Sequence, residues 1–316
     1  MLCMTGATLF LRRGARFAHF SRMGARPSHM AGVAVQGHVL DTVVGRGAFA
    51  TVFAARTPAG DRVALKLFPA AGTTAAAREV AVLQRLRAAN TPCTCHMLDA
   101  GDLNGRPYIT FRLRGCSAYE LLVQRKSGGL PPDVLQTVTH AVVTALAALH
   151  TLGLAHADVK PENVLLAADR ASAWLADFGL SQDSPFGHVT YAQSRFYRAP
   201  EVVLGAGATT LVDVWSLGCM TWELATGRVL FRARDEGELY ARHKALPLPP
   251  DLVSRSTRGD AFLARPALGR SVVPTGDDDV AQFVRGCLVA DPRRRPAIAQ
   301  LLGHACARRP GAHVAI

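Results

Sequence analysis

Between His38 and Leu113 the apolar positions come in short runs that read as strands, with one helix among them. His38 to Val44 and Thr51 to Ala55 are partly β-branched runs on either side of a glycine-containing turn. Pro58-Ala59-Gly60-Asp61 is a tight-turn sequence, and Arg62 to Phe68 alternates apolar and polar residues as a half-buried strand does. From Ala75 to Leu86 the spacing changes. Val80, Leu83 and Leu86, with Val82 beside them, recur at helical intervals. His96 to Ala100 and Tyr108 to Leu113 complete a set of five strands.

From Ser117 onward the pattern is mainly helical. Pro131-Pro132-Asp133 is a helix start, and Val134, Val138, Val142, Leu146 and Leu149 form the stripe that follows it. Thr209 to Ala225 is apolar nearly all round, which predicts a buried central helix. Later helices are expected over Asp279 to Ala290 and Ala297 to Cys306. Pro247 to Thr275 reads as loop-rich, and the tail from Arg308 on reads as frayed. Strands followed by helices define an α+β chain.

Composition narrows the class. The chain has 316 residues, 49% hydrophobic and 19% charged, which is globular rather than disordered. Its apolar runs are interrupted by polar residues well short of a membrane span, so none is expected. The cysteine count of seven is odd, and without a secretory leader it points to reduced thiols inside a cell, in the cytoplasm or nucleus. Cys93-Thr94-Cys95-His96 resembles half a zinc site, but no second ligand pair is near in sequence, so these are read as loop residues. Net charge is +12, nearly all of it arginine, and lysine occurs only at Lys66, Lys126, Lys160 and Lys244. The accompanying Ala and Gly excess points to coding bias more than to a polyanion surface. No specific nucleic-acid site is therefore expected. Residues 1–37 lack any acid and carry Arg12, Arg13, Arg16, Arg22 and Arg26. They are read as a disordered basic tail, with an organelle presequence or a nuclear-type patch as alternatives.

Two short segments carry the chemistry. His156-Ala157-Asp158-Val159-Lys160-Pro161-Glu162-Asn163 supplies a carboxylate, a cation and an amide, and Asp177-Phe178-Gly179 supplies a second carboxylate. Phosphoryl transfer from ATP to a hydroxyl needs this set, because it rests on positioning and charge neutralisation around bridging Mg²⁺. Asp158 is assigned to orient the hydroxyl and accept its proton, Lys160 to neutralise charge on the γ-phosphoryl, and Asn163 and Asp177 to bind Mg²⁺. Upstream, Val44-Gly45-Arg46-Gly47-Ala48-Phe49-Ala50-Thr51-Val52 lies between two expected strands, where glycines would let backbone approach phosphates. Lys66 in Val63-Ala64-Leu65-Lys66 arrives on the next strand within reach of the α- and β-phosphates. Glu79 is the only acid between Asp61 and Asp99, hence the expected partner of Lys66. Farther on, Glu201 of Ala199-Pro200-Glu201 needs a buried counter-charge, for which Arg295 is the candidate, and Asp213 is expected to hold the backbone of the catalytic loop.

In this order the motifs resemble those of eukaryotic-type protein kinases, over residues 38 to 308. Tyr108-Ile109-Thr110-Phe111-Arg112-Leu113, His156-Ala157-Asp158 and Thr190 through Glu201 resemble the homeodomain-interacting and dual-specificity tyrosine-regulated serine/threonine kinases. The resemblance implies a bilobal fold: a five-stranded antiparallel sheet with one helix over residues 38–113, and a mainly helical lobe over 117–308, followed by a short tail, 309–316. It further implies Phe111 behind the adenine, the backbone of Arg112 and Arg114 along its edge, and Val52, Ala64 and Leu165 sandwiching the ring. Lys160 with Ser194 matches serine/threonine specificity. Tyr191 matches an activating phosphotyrosine, and Arg195 with Arg198 its clamp. Arg198 also points to proline after the target residue. The chain departs from the usual pattern where Ala50 replaces a glycine, Ala157 an arginine and Arg112 an acid, and the segment after Leu246 is short. The expected protein is a monomeric ATP- and Mg²⁺-dependent kinase of protein serine and threonine hydroxyls. A nucleotide-binding scaffold without turnover is the alternative.

Overall fold

The structure is a computed structural model that describes residues 34–35, 37–47, 49–125, 128–187, 192–264, 266–267 and 273–308. The first lobe is a sheet of β1 (Ala34–Val35), β2 (His38–Arg46), β3 (Thr51–Arg56), β4 (Arg62–Leu67), β5 (Met97–Leu103) and β6 (Arg106–Arg112). The strands lie in the order β1-β2-β3-β4-β6-β5, all antiparallel. The five expected strands are all present. The two-residue β1 is an addition, and it falls in the stretch read from sequence as tail.

Strand alternation sorts the side chains of this sheet. On one face Val63, Leu65 and Leu67 of β4 are buried with Leu40, Phe53, Ala55 and Tyr108. On the other, β3 and β4 pair Val52 with Lys66 and Ala54 with Ala64, while β6 sets Phe111 opposite Ala64. Directly opposed residues share a face, so Val52, Ala64, Lys66 and Phe111 look together toward the second lobe. Helix α1 (Thr73–Ala88) packs on that same face. Its buried stripe is Ala76, Glu79, Val82, Leu83 and Leu86. Glu79 is thus the one acid on an otherwise apolar helix face.

The second lobe opens with α2 (Ala118–Gln124), whose first turn is closed by reciprocal bonds between Ser117 and Glu120. Next come α3 (Pro132–Thr151) and four short strands, β7 (Leu154–Ala155), β8 (Val164–Leu166), β9 (Ala173–Leu175) and β10 (Gln182–Asp183). β8 pairs with β9, and β7 with β10. The remaining helices are α4 (Pro200–Leu204), α5 (Leu211–Thr226), α6 (Glu236–His243), α7 (Pro250–Ser254), α8 (Gly259–Leu263), α9 (Asp279–Cys287) and α10 (Ile298–Leu301). Helix α5 is buried along nearly its whole length, as its all-round apolar sequence requires, with one core on its α3 side and a second against α4, α6 and α8. It ends at Gly227, whose φ of 73° is the left-handed cap that glycine adopts without a Cβ penalty. Helix α3 is long and apolar enough to cross a membrane, yet it is mostly buried inside this lobe and reads as a core helix.

The loop-rich stretch from Pro247 to Thr275 also holds α7 and α8, each five residues long and too short to show a periodicity. Two sequence expectations need correction. Helix α9 stops at Cys287 rather than Ala290, because Leu288 leaves helical geometry at φ −91°, ψ 32°. The helix expected from Ala297 to Cys306 breaks after Leu301 and resumes only as a short 3-10 turn, Ala305–Ala307, entered through His304.

The two lobes share a core. Phe68, Leu83, Leu86 and Ile109 of the first lobe pack with Leu149, Leu154 and Phe178 of the second. Phe178 therefore fixes the segment that starts at Asp177 against α1.

Candidate active site

Lys66 leaves β4 on the cleft face and meets Glu79 of α1. Its Nζ donates to Glu79 Oε1 at 2.7 Å and Oε2 at 2.6 Å, and to Asp177 Oδ1 at 2.8 Å. Glu79 is 1% exposed. Burial pushes its carboxyl upward, and the Lys66 ammonium only partly offsets this. Burial also works against the charge on Lys66, but the carboxylates of Asp177 and Glu79 outweigh it and hold the amine protonated. At Asp177 desolvation again opposes ionisation, and Lys66 overrides it to bring the carboxyl down to about 2. Gly179 makes room for this triad: a Cβ there would come within 3.2 Å of Glu79 Oε2.

The low Asp177 value has a measurable consequence. The group's folded pKa lies below the ordinary carboxylate value of 3.8, so its contribution to stability is complete above that value and is lost as pH falls toward 2. A carbon-detected NMR titration should find the Asp177 midpoint near 2. In Lys66→Met the midpoint should move upward, because the ammonium that opposes desolvation most strongly is gone while the more distant Lys160 charge remains. A midpoint unmoved by that substitution would refute the coupling.

Across the cleft, Asp158 is 5% exposed and accepts on both oxygens. Oδ2 takes Lys160 Nζ at 2.5 Å and Asn163 Nδ2 at 3.1 Å; Oδ1 takes the backbone N–H and hydroxyl of Ser194 at 3.1 and 2.8 Å. Lys160 Nζ also donates to Ser194 Oγ at 3.0 Å. Asn163 gives its amide N–H groups to Asp158, through the side chain and the backbone carbonyl. Its Oδ1 has no protein hydrogen bond among the described residues. Asp177 is half-exposed, and Lys66 occupies only its Oδ1. Two hard oxygens therefore face the cleft. Among the described residues no group of three or more His, Cys, Asp or Glu could cage a metal. The pair suits a divalent cation that takes its other ligands from phosphates and water.

The catalytic loop is held from below. Asp213 of α5, fully buried, accepts the backbone N–H groups of His156 and Ala157, each at 2.8 Å, and the His150 ring at 2.9 Å. Ala157 has φ 61°, a left-handed conformation costly for alanine, and these bonds hold it there. His156 packs edge-on against Phe178, its Nε2 bonding the Ala176 carbonyl and its Nδ1 accepting the Asp158 N–H.

Gln193 was assigned no role from sequence and proves to be a hub. It is 3% exposed, at φ 63°, and its N–H donates to the Ala157 carbonyl at 2.8 Å. Its side chain bonds Ser216 Oγ, the carbonyls of Val212 and Tyr197, and the N–H of Ala199. No local sequence signal marks it, because Ala157, Val212 and Ser216 come from two distant segments. Glu201 and Arg295 form the expected buried pair, in two parallel bonds of 2.7 and 3.0 Å.

The glycine-containing turn joins β2 to β3 as a hairpin, with Gly45 opposite Val52 and Arg46 opposite Thr51, closed by the Gly47 N–H on the Ala50 carbonyl. Val44 and Phe49 are exposed, and Ala48 lies outside the described residues. Ala50 does not adopt a left-handed backbone and packs against the shared inter-lobe core, so a methyl is accommodated where glycine is usual. Half-buried Val52 and Ala64 form the roof of the cleft, and Leu165 of β8 is half-buried below. Arg112 ends β6, and Arg114 follows in the connection to α2. Tyr191 lies outside the described residues. The Arg198 guanidinium donates to the carbonyls of Ala192 and Gln193 and to Glu236, and Arg195 donates to the Arg234 carbonyl.

A lysine bridging two carboxylates across a cleft, over a loop whose buried aspartate is ringed by lysine, asparagine and serine, sits on a strand-rich lobe joined to a helical one. The chain belongs to the protein kinase domain family, which it matches over residues 39–306. Within that family it is 31% identical over 270 residues to human dual specificity tyrosine-phosphorylation-regulated kinase 3, covering 72% of this chain and 46% of that one. It is 34% identical over 251 residues to human dual specificity tyrosine-phosphorylation-regulated kinase 4, covering 72% and 48%. It is 32% identical over 270 residues to the Rattus norvegicus kinase 3, covering 72% and 46%. The chain thus spans about half the length of the curated relatives it matches. These matches bear out the likeness to the dual-specificity tyrosine-regulated branch.

Proposed function

We propose that the protein transfers the γ-phosphoryl group of ATP to serine and threonine hydroxyls of protein substrates, as a monomer inside the cell, in cytoplasm or nucleus. The observation that carries this reading is the Lys66–Glu79–Asp177 triad facing Asp158, Lys160 and Asn163 across one cleft. Lys66, held protonated by two carboxylates, binds phosphate oxygens. Asn163 Oδ1 and the open oxygen of Asp177 would hold Mg²⁺, which when bound would neutralise the phosphates' charge. Asp158 orients the incoming hydroxyl and takes its proton, with Ser194 and Lys160 fixing the carboxylate plane. Val52, Ala64 and Leu165 enclose the adenine, with the backbone of Arg112 and Arg114 at its edge and Phe111 behind. The hairpin from Val44 to Thr51 covers the phosphates.

Tyr191 is proposed as an autophosphorylation site, its phosphate received by Arg195 and Arg198 through charge-assisted bonds. Incubation of the purified protein with MgATP and a serine-containing peptide tests both parts. Mass spectrometry should show phosphoserine on the peptide and phosphate on Tyr191. Nucleotide binding without any phosphate transfer would instead support the scaffold reading.

A further inference from the structure

The side chain of Arg114 occupies a place unlike its neighbours on the connection between lobes. Its guanidinium lies 3.5 Å from the centroid of the Trp174 ring. The same guanidinium is a charged neighbour of the Cys95 thiol, which is 6% exposed and which burial pushes up to about 11 despite that cation. Trp174 and Cys95 belong to different segments. Trp174 is on β9 and is paired with Leu165 of β8, the residue under the adenine, so the two share a face. Cys95 lies on the loop from α1 to β5, and its N–H donates to the Leu175 carbonyl at 2.8 Å. β9 then runs directly into Asp177. The backbone beside Arg114 is tied to the second lobe as well, with the Gly115 N–H on the Leu166 carbonyl and the Leu166 N–H on the Cys116 carbonyl, both at 2.9 Å.

We infer that the Arg114 side chain is a positioning residue for adenine nucleotide, clamping the nucleotide-edge backbone to the Trp174 ring and the Cys95 loop so that the donors and acceptors of that edge are set before ligand arrives. The physical basis is the preference of a flat, weakly hydrated guanidinium for stacking on an aromatic face, together with its fork of N–H donors. A lysine could keep the charge over the ring but not the flat contact or the fork. Without the stack, the connection between lobes retains its backbone bonds at Gly115 and Leu166 and loses only the orientation of residue 114. The loss should therefore appear in nucleotide affinity, not in the chemistry at Asp158.

The inference rests on the proposed adenine site, and its test does not need turnover. MgADP and adenosine are titrated calorimetrically into the intact wild-type protein, Arg114→Ala, Trp174→Leu, the double variant and Arg114→Lys. Each single change should weaken MgADP by about tenfold, the scale of a partly desolvated cation–aromatic contact. The double variant should be no weaker than the worse single one, because both remove one contact. Arg114→Lys should recover part of the loss. Adenosine should lose the same factor as MgADP, since the clamp acts on the base edge; because a smaller folded fraction would weaken both ligands equally, urea denaturation of each variant must show it folded at the titration temperature. Where Arg114→Ala fails to fold, Arg114→Lys and Trp174→Phe decide by the same comparison. Affinity within twofold of wild type, or losses that multiply in the double variant, would overturn the inference, as would a wild-type protein that binds no adenine nucleotide. A wild type that binds MgADP yet transfers no phosphate would remove the kinase reading while leaving the clamp decided by the titration.

Discussion

Asp158→Asn is expected to lower phosphate transfer by about three to four orders of magnitude while leaving MgATP affinity within a few fold. The substitution keeps the shape and removes the proton acceptor. It also introduces an NH₂ group where the structure has only acceptors. If that group replaces Oδ2, it faces Lys160 Nζ and Asn163 Nδ2; if it replaces Oδ1, it faces the N–H and hydroxyl of Ser194. Either orientation sets donor against donor, at a cost of about 1–3 kcal/mol in a buried site. Lys66, proposed to bind phosphate, and Asp177, proposed to hold the metal, bond to each other and not to Asp158, so nucleotide binding survives. Steady-state assays alongside nucleotide titration check this. Retention of more than a tenth of wild-type turnover would remove Asp158 from its proposed role.

Arg295→Met is expected to destabilise the protein by about 3–5 kcal/mol, since it strands a buried carboxylate. Arg295 and Glu201 are 4% and 1% exposed. Besides its paired bonds to Glu201, the guanidinium donates to the carbonyls of Val289 and Leu211 and lies 5.3 Å from the Trp215 ring centroid. Four acceptors and an aromatic face lose their partner at once. A domain with about 5–15 kcal/mol of total stability would lose a large fraction of it. The double change Arg295→Met with Glu201→Leu should recover much of the loss, because it removes the stranded charge as well. Urea denaturation of wild type, single and double variants measures this; a single variant within 1 kcal/mol of wild type would sink the argument. The pair ties the end of the segment carrying Ser194 to the start of α5 and to the turn after α9. The same loss should therefore loosen the platform under Asp158 and reduce turnover.

Much of this architecture is legible in the residue order because it rests on periodicity and on rare residue types. The alternation from Arg62 to Phe68 already places Ala64 and Lys66 on one face. The scarcity of lysine and of acids near Glu79 marks the pair that the structure joins at 2.6–2.7 Å. Asp213 and Arg295 were also identifiable, since a charge inside an apolar helix or beside a proline-bounded turn needs a buried partner. Short elements were less visible. Helices α7 and α8 bury little and repeat nothing, and α10 breaks at Leu301, where local backbone bonds decide the path.

The sequence by itself determined which side chains carry the chemistry, because a carboxylate, an amine and an amide have the same reactivity wherever the chain takes them, and the periods of strand and helix set the face each one occupies. Only the tertiary structure decided what touches them. The backbone bond of Gln193 to Ala157, the bonds of its amide to Val212 and Ser216 and the stacking of Arg114 on Trp174 all join segments far apart in the chain. Such contacts depend on the angle at which the packed elements meet, and local propensity does not encode that angle.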